Sequence, residues 1–308
     1  MLSRRAFLKL LGGTGLAIPT LVYAAPGNPS PKLQRLESRI ADILGDEDIG
    51  FEVRSVSFDD GFEFFRIVQN PYKLYPVASC FKSLAVLYYL WYTPRELWQI
   101  DAQSPVFRVA VYSNNPLTGN LIQDTAQYAW HQGNAIEKFN SFIQDVLLIP
   151  TGIYRWTWEG SPTGDTADAR FAPSLTARYV EKNGERYEMD NLFAPNHLSE
   201  FYLRLLQHGR FDDIHPQAQE AVDTTRWLLA MQAEEYRSFI ERAWGEYIGK
   251  DGVIPAEDSP VGRVTDDAGI VQVGNGTYII TAMYMDGEFR FLELLRGVFD
   301  ALRDYEEI

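Results

Sequence analysis

Cysteine is almost missing from this sequence: Cys80 is the only one in 308 residues. No intramolecular disulfide is possible, so the core alone must hold the fold, even in an oxidising compartment. Histidine is scarce as well. His131, His197, His208 and His215 show none of the paired spacings of zinc sites, which argues against a metal centre. Positive charge is short, with 28 Lys and Arg against 42 Asp and Glu and a formal net charge of −14. So acidic a surface repels phosphate backbones, and no basic stripe offsets it, which excludes nucleic acid as a partner. Internal repeats and low-complexity tracts are absent. Apolar residues make up 46% and charged residues 23%, the composition of a globular chain able to bury a sizeable core.

What is present begins at the N-terminus. Ser3-Arg4-Arg5-Ala6-Phe7-Leu8-Lys9 precedes an apolar stretch from Leu10 to Val22, and Ala24-Ala25-Pro26 follows. The stretch is broken by Gly12, Gly13, Gly15 and Pro19 and is too short for a membrane span. Val22 and Ala24 would take the −3 and −1 positions of a cleavage site. Residues 1–24 resemble a twin-arginine export signal. The resemblance implies a mature domain over 25–308 with a periplasmic or extracellular destination. The segment carries Arg4, Arg5 and Lys9 and no acid, so its removal would leave the chain still more acidic.

Along the mature chain, Leu33, Leu36, Ile40, Ile43 and Leu44 recur at helical spacing up to Gly45. Ile49–Phe58 and Phe62–Val68 read as strands joined by Asp59-Asp60-Gly61, a hairpin signal. From Ser79 to Trp91 the chain is strongly apolar and reads as a buried helix. Asn134–Leu148, His197–His208 and Gln217–Trp244 read as helices, and Gly152–Asn191 as a long irregular excursion of the kind that often borders active sites. Glu246–Lys250, Gly269–Val273 and Thr277–Met285 read as strands, with Gly274-Asn275-Gly276 as a turn, and Phe289–Tyr305 as a closing helix. This order predicts an α/β (α+β) fold: an antiparallel sheet flanked by N- and C-terminal helices, built from about 32–75 and 245–308, with an all-helical region inserted over about 76–244.

Ser79-Cys80-Phe81-Lys82 stands where a helix should begin. A spacing of three puts both side chains on one helix face, within reach of a hydrogen bond. A serine hydroxyl is a poor nucleophile until a base takes its proton. A lysine among apolar neighbours such as Val77, Phe81, Leu84 and Ala85 has its charged form disfavoured and can serve as that base. The helix dipole would favour negative charge developing at Ser79. Taken alone, the pattern reads sooner as a serine N-cap than as a catalytic pair.

Two further segments bear on it. Tyr112-Ser113-Asn114-Asn115 lies some thirty residues on, and Lys250-Asp251-Gly252 closes a strand near the C-terminus, ahead of Asp267-Ala268-Gly269-Ile270-Val271. Ser-x-x-Lys, Ser-x-Asn and Lys-x-Gly in this order resemble the serine β-lactamase and penicillin-binding-protein superfamily, its class A branch above all. The resemblance spans roughly Leu33 to Ile308. It includes the Pro-Val-Ala lead-in to Ser79, Asn120-Leu121-Ile122 after the second motif, and Phe193-Ala194-Pro195 before a helix. It implies Ser79 as the acylated nucleophile, Lys82 as its base, and Ser113 as proton relay to the leaving nitrogen. Asn115 would hold Lys82 and the substrate's amide, and Lys250 would supply positive potential. The N–H groups of Ser79 and Val253, the residue after Gly252, would form the oxyanion hole. No cofactor and no metal are implied; the chain is expected to be a monomer whose partner is a small-molecule β-lactam or cell-wall peptide substrate.

Three positions depart from the pattern. Asn114 replaces an Asp that points away from the chemistry. Asp251 stands where the family has Thr or Ser, and an ionised Asp would repel a substrate carboxylate unless Arg263 lay near enough to compensate. Arg155-Trp156-Thr157-Trp158-Glu159-Gly160 resembles the family's Arg-Trp-Glu segment with the carboxylate displaced by two residues. Glu159 is the candidate base for deacylation, and without such a base the acyl-enzyme would persist. The expectation is therefore an exported serine hydrolase with a Ser79 acyl-enzyme, acting on β-lactams. D-Ala-D-Ala peptidase or other amide or ester hydrolysis stays open, as does a catalytically weakened scaffold binding the cell wall.

Overall fold

Ser30 opens helix α1 (Pro31–Leu44) by accepting the Leu33 N–H at 3.2 Å, and Gly45, at φ 52°, ends it. Leu33, Leu36, Ile40 and Leu44 form its buried stripe, as their spacing predicts. The computed structural model describes residues 23–24, 30–154, 179–207, 211, 214–231 and 238–307.

The sheet follows from two hairpins. Strands β2 (Ile49–Val56) and β3 (Glu63–Gln69) are joined through Asp59-Asp60-Gly61, where Asp60 Oδ1 accepts the Phe62 N–H at 3.1 Å and Gly61 has φ 66°. Near the C-terminus, β8 (Tyr247–Ile254), β9 (Val264–Val273) and β10 (Gly276–Tyr284) form a meander. Thr277 pairs with Val56 and Tyr284 with Ile49, so β10 lies along β2 and strands from both ends of the chain share one antiparallel sheet, β3-β2-β10-β9-β8. The two residues of β1 (Tyr23–Ala24) add to the β3 edge. β8 is the opposite edge and has β9 as its only sheet neighbour.

One face of the sheet is covered by α1, a short α8 (Phe239–Ala243) and the long α9 (Glu288–Glu307). The other carries α2 (Lys82–Tyr92), α3 (Pro105–Tyr112), α4 (Asn115–Thr125), α5 (Ala135–Ser141), α6 (Pro195–Leu206) and α7 (Ala218–Ala230). The result is the α+β arrangement expected from the element order. α2 is the axis of the helical region: every residue of it except Tyr89 is buried. Tyr88, Trp91 and Tyr92 pack edge-on or tilted against Phe139 and Phe142, so these aromatics build core. A buried ion-pair network, in which Arg54 of β2 bridges its own strand's Glu52 and Glu200 of α6 (2.8 Å to Glu200), ties the helical region to the sheet.

Three helices differ from their sequence expectation. Gln217–Trp244 is not one helix. α7 is capped at Met231, and α8 has its own N-cap in Ser238, whose side chain accepts the Glu241 N–H at 3.0 Å. Asn134–Leu148 is α-helical only to Ser141 and then widens into a π-helical turn, Phe142–Val146, ending at Leu148 with φ 58°. α6 starts two residues before His197, with Pro195 in its first turn.

Candidate active site

The segment before Ser79 is held from both sides. β4 (Tyr75–Pro76) pairs with β7 (Leu192–Phe193), the Val77 N–H reaches Asn191 O at 3.0 Å, and the Ala78 N–H reaches Asp266 Oδ2 of β9 at 3.0 Å. Ser79–Phe81 then wind as a 3₁₀ turn, and α2 begins at Lys82. Lys82 closes that turn, its backbone N–H donating to Ser79 O. Cys80 is fully buried and its Sγ donates to Lys250 O at 2.8 Å, which fastens the turn to β8. Burial pushes the Cys80 thiol up, so it is a packing group and a poor nucleophile. Ser79 itself is half-buried.

Lys82 is 1% exposed. Its Nζ donates to Ser113 O at 2.7 Å, to Ser113 Oγ at 3.1 Å and to Asn115 Oδ1. The expected Ser79–Lys82 hydrogen bond does not form, because the amine is turned toward these three acceptors. Desolvation, reinforced by the nearby charge of Lys250, holds the Lys82 amine well below the ordinary lysine range. A buried amine that loses its proton readily is the chemistry a serine's general base requires.

Ser113 is at the C-terminus of α3, with φ 55° and ψ 35°. This left-handed conformation costs a non-glycine residue about 1–2 kcal/mol. It reverses the chain, so that the Asn114 N–H closes onto Arg108 O at 3.1 Å and both Ser113 oxygens face Lys82. Asn114 caps α4 by accepting the Leu117 N–H at 3.0 Å, a structural task that Asp would perform equally. Asn115 follows as the first residue of α4. The Ser-Asn-Asn motif thus aims one residue at the amine, spends one on a helix cap, and aims one at the amine again.

β8 closes the other side. Lys250 is 2% exposed, and its Nζ pairs with Asp251 Oδ1 at 3.0 Å and donates to Asp251 O at 3.1 Å. Gly252 is buried against the nucleophile's backbone: a Cβ there would collide with Ser79 N and Asp266 Oδ1 and come within 2.7 Å of Ala78 Cβ. Only glycine lets β8 come this close. Val253, next along, is half-buried. Arg263 does not offset Asp251: its guanidinium pairs with Glu288 at 2.6 Å. Glu159 and the rest of Arg155–Gly160 lie outside the described residues.

Two acids had drawn no role from the sequence. Asp266 and Asp267 are fully buried in β9, facing Gly252 and Asp251 across the ladder. Desolvation pushes Asp266 up to about 7, and Asp267 rises well above the carboxylate range through desolvation and the neighbouring Asp251. Asp267 Oδ2 accepts the Ile240 N–H at 2.7 Å at the start of α8. The available signal was two adjacent carboxylates inside a strand otherwise fit for a core. Among the described residues, no group of three or more His, Cys, Asp and Glu is placed to hold a metal ion, and no helix is long and apolar enough to cross a membrane.

No protein-family model matches the sequence, and no curated protein matches it. Solved structures do resemble the fold. A class A β-lactamase from Bacteroides cellulosilyticus superposes with a TM-score of 0.58 at 14% identity, covering 91% of this chain and 100% of the other. A β-lactamase from Sphaerobacter thermophilus gives 0.58 at 14%, covering 89% and 98%. PBP-A gives 0.54 at 16%, covering 92% and 100%, and a point mutant of it is described as an acyl-enzyme complex with penicillin G. The chain therefore has the fold of the β-lactamase and penicillin-binding-protein superfamily.

Proposed function

We propose, from a fold shared with class A β-lactamases and PBP-A, that this chain is a serine hydrolase working through an acyl-enzyme at Ser79, with β-lactams as substrates. The observation that carries the reading is Lys82: a buried amine of depressed basicity, three residues from Ser79 and hydrogen-bonded to Ser113 Oγ and Asn115 Oδ1.

In the proposed mechanism, Lys82 takes the Ser79 proton as Oγ attacks the lactam carbonyl. The N–H groups of Ser79 and Val253 receive the oxyanion, a pairing supported by the close approach of Gly252 to Ser79 N. Ser113, in contact with Lys82, passes the proton to the departing nitrogen. Asn115 anchors Lys82 and the substrate amide, and Lys250 offers positive potential on the β8 side. Water activated by Glu159 would then release the acyl group.

A second reading has its own support. Asp251 occupies one side of Lys250, so the cation expected to greet a substrate carboxylate is already paired. That favours an amide or ester lacking the carboxylate, hydrolysed by the same Ser79 chemistry. The Arg4-Arg5 segment supports export to the periplasm or beyond by the twin-arginine route.

Incubating the purified protein with a chromogenic cephalosporin and a fluorescent penicillin separates the readings. Turnover lost in Ser79→Ala supports the lactamase. Labelling at Ser79 without turnover supports a penicillin-binding hydrolase. Labelling only by neutral acyl esters supports the second reading, and silence from all three probes rejects acyl-enzyme chemistry.

A further inference from the structure

Among the described residues, Asp266 is the acid whose carboxyl group reaches the backbone of the Ser79 turn. Its Oδ2 accepts the Ala78 N–H at 3.0 Å, so it holds the peptide immediately before the nucleophile. Its Oδ1 is fully buried and has no hydrogen-bond partner among the described residues. That oxygen borders the same small space as Ser79 N, the space that a Gly252 side chain would fill. A buried oxygen left unpaired costs about 1–3 kcal/mol. Its position beside an N–H that is to receive an oxyanion gives the arrangement a reason to persist.

We propose that Asp266 is a positioning residue of the Ser79 site: its carboxyl group pins the Ala78–Ser79 peptide against β8, and its charge state sets how well that corner accepts negative charge. The inference rests on the acyl-enzyme reading. The physical argument concerns like charges. A carboxylate beside Ser79 N would repel the oxyanion forming on the other side of that N–H and would compete for its hydrogen. A neutral acid does neither and keeps its acceptor for Ala78.

The surroundings set when each state prevails. Burial raises Asp266, to about 7, against the lowering effect of the Ala78 N–H and the Cys80 side chain; Asp251 raises it further and Lys250 opposes. Asp267, the next residue on β9, is itself held toward neutrality, and Lys82 on α2 senses Asp266 as a charge that favours its protonated form. Ionising Asp266 therefore harms acylation twice, by opposing the oxyanion and by keeping more of Lys82 in the protonated form, which cannot take the serine proton.

The test is the second-order rate of Ser79 labelling, by fluorescent penicillin and by a neutral activated acyl ester, from pH 5 to 9 in the wild type and Asp266→Asn. The amide keeps the size and the acceptor but cannot ionise. The expected wild-type profile falls on its alkaline side by up to about tenfold per pH unit above the Asp266 midpoint. In Asp266→Asn that limb should move upward by more than one pH unit. Should the variant fail to fold, Asp267→Asn decides: with Asp267 removed, an infrared carbonyl band from the buried protonated carboxyl of Asp266 should be present at pH 6 and fade as labelling slows. Labelling with no alkaline fall, or with a fall that Asp266→Asn leaves in place, overturns this proposal alone. Absence of Ser79 labelling by both probes at every pH overturns it together with the acyl-enzyme reading.

Discussion

Lys82 Nζ lies 3.1 Å from Ser113 Oγ and 2.7 Å from Ser113 O, so a buried amine and a serine held in left-handed conformation form one unit. Nothing in core packing requires a lysine with 1% exposure on the axis of an apolar region. Replacing it by Met fills the same space without the base. Lys82→Met should fold, with a melting temperature at or above that of the parent, and should lose about 10²–10⁴ in acylation rate. Lys82→Arg should fare no better, since a guanidinium keeps its proton. Stopped-flow labelling of Ser79 beside a thermal melt checks both statements.

Asp251 governs charge preference at the mouth of the site. Its carboxyl group pairs with Lys250 at 3.0 Å, and Arg263 is engaged by Glu288. Asp251→Thr frees Lys250 and removes a negative group. Acylation by a carboxylate-bearing penicillin should rise roughly tenfold, an effect of about 1.4 kcal/mol of charge interaction, while a neutral acyl ester should change much less. Parallel rate measurements with the two probes read the difference. Equal changes for both would show that Asp251 acts on something other than substrate charge.

His197 gives the fold an acid-sensitive joint. It is half-buried in the first turn of α6, where its Nδ1 accepts the Ala194 N–H at 3.1 Å and its backbone N–H donates to Ala194 O at 2.9 Å. Desolvation holds it down at about 4, below the ordinary 6.5. The unfolded chain therefore binds the proton more readily than the folded one. Its contribution is fully present above pH 6.5 and is lost as the pH falls from there through about 4, and on full protonation amounts to roughly 3 kcal/mol. Asp266 works in the opposite sense, since its raised folded value favours the folded state at low pH and that contribution is lost as the pH rises through about 7. His197→Gln should flatten the decline in melting temperature between pH 6.5 and 4, and an unchanged slope would assign that decline to other groups.

Much of the site could be read in advance because its parts are short motifs on rigid elements. Ser79, Lys82, Ser113, Asn115 and Lys250 are specified by type and order, and helix starts and a strand edge bring them together. Asp266 and Asp267 could not be read in this way. An acid in a strand normally marks a solvent-facing position, and only the assembled sheet, with the Ser79 turn lying on it, buries these two. The hairpin at Asp59-Asp60-Gly61 and the stop at Gly45 were legible because their backbone conformations demand particular residues. The division between α7 and α8 was not, since no proline or glycine interrupts residues 217–244. A tertiary contact helps to mark that boundary: Ser238 caps the new helix locally, and Asp267 accepts the Ile240 N–H, an interaction that does not exist until β9 is in place.

Covalent acylation of Ser79 is the step on which the proposed function stands. Intact-protein mass spectrometry after brief exposure to benzylpenicillin or a neutral activated acyl ester, followed by peptide mapping, tests it directly. One adduct per chain is expected, carried by the peptide containing Ser79 and absent from Ser79→Ala. An adduct that survives in Ser79→Ala, or no adduct from either reagent under conditions where the protein is folded, would contradict it.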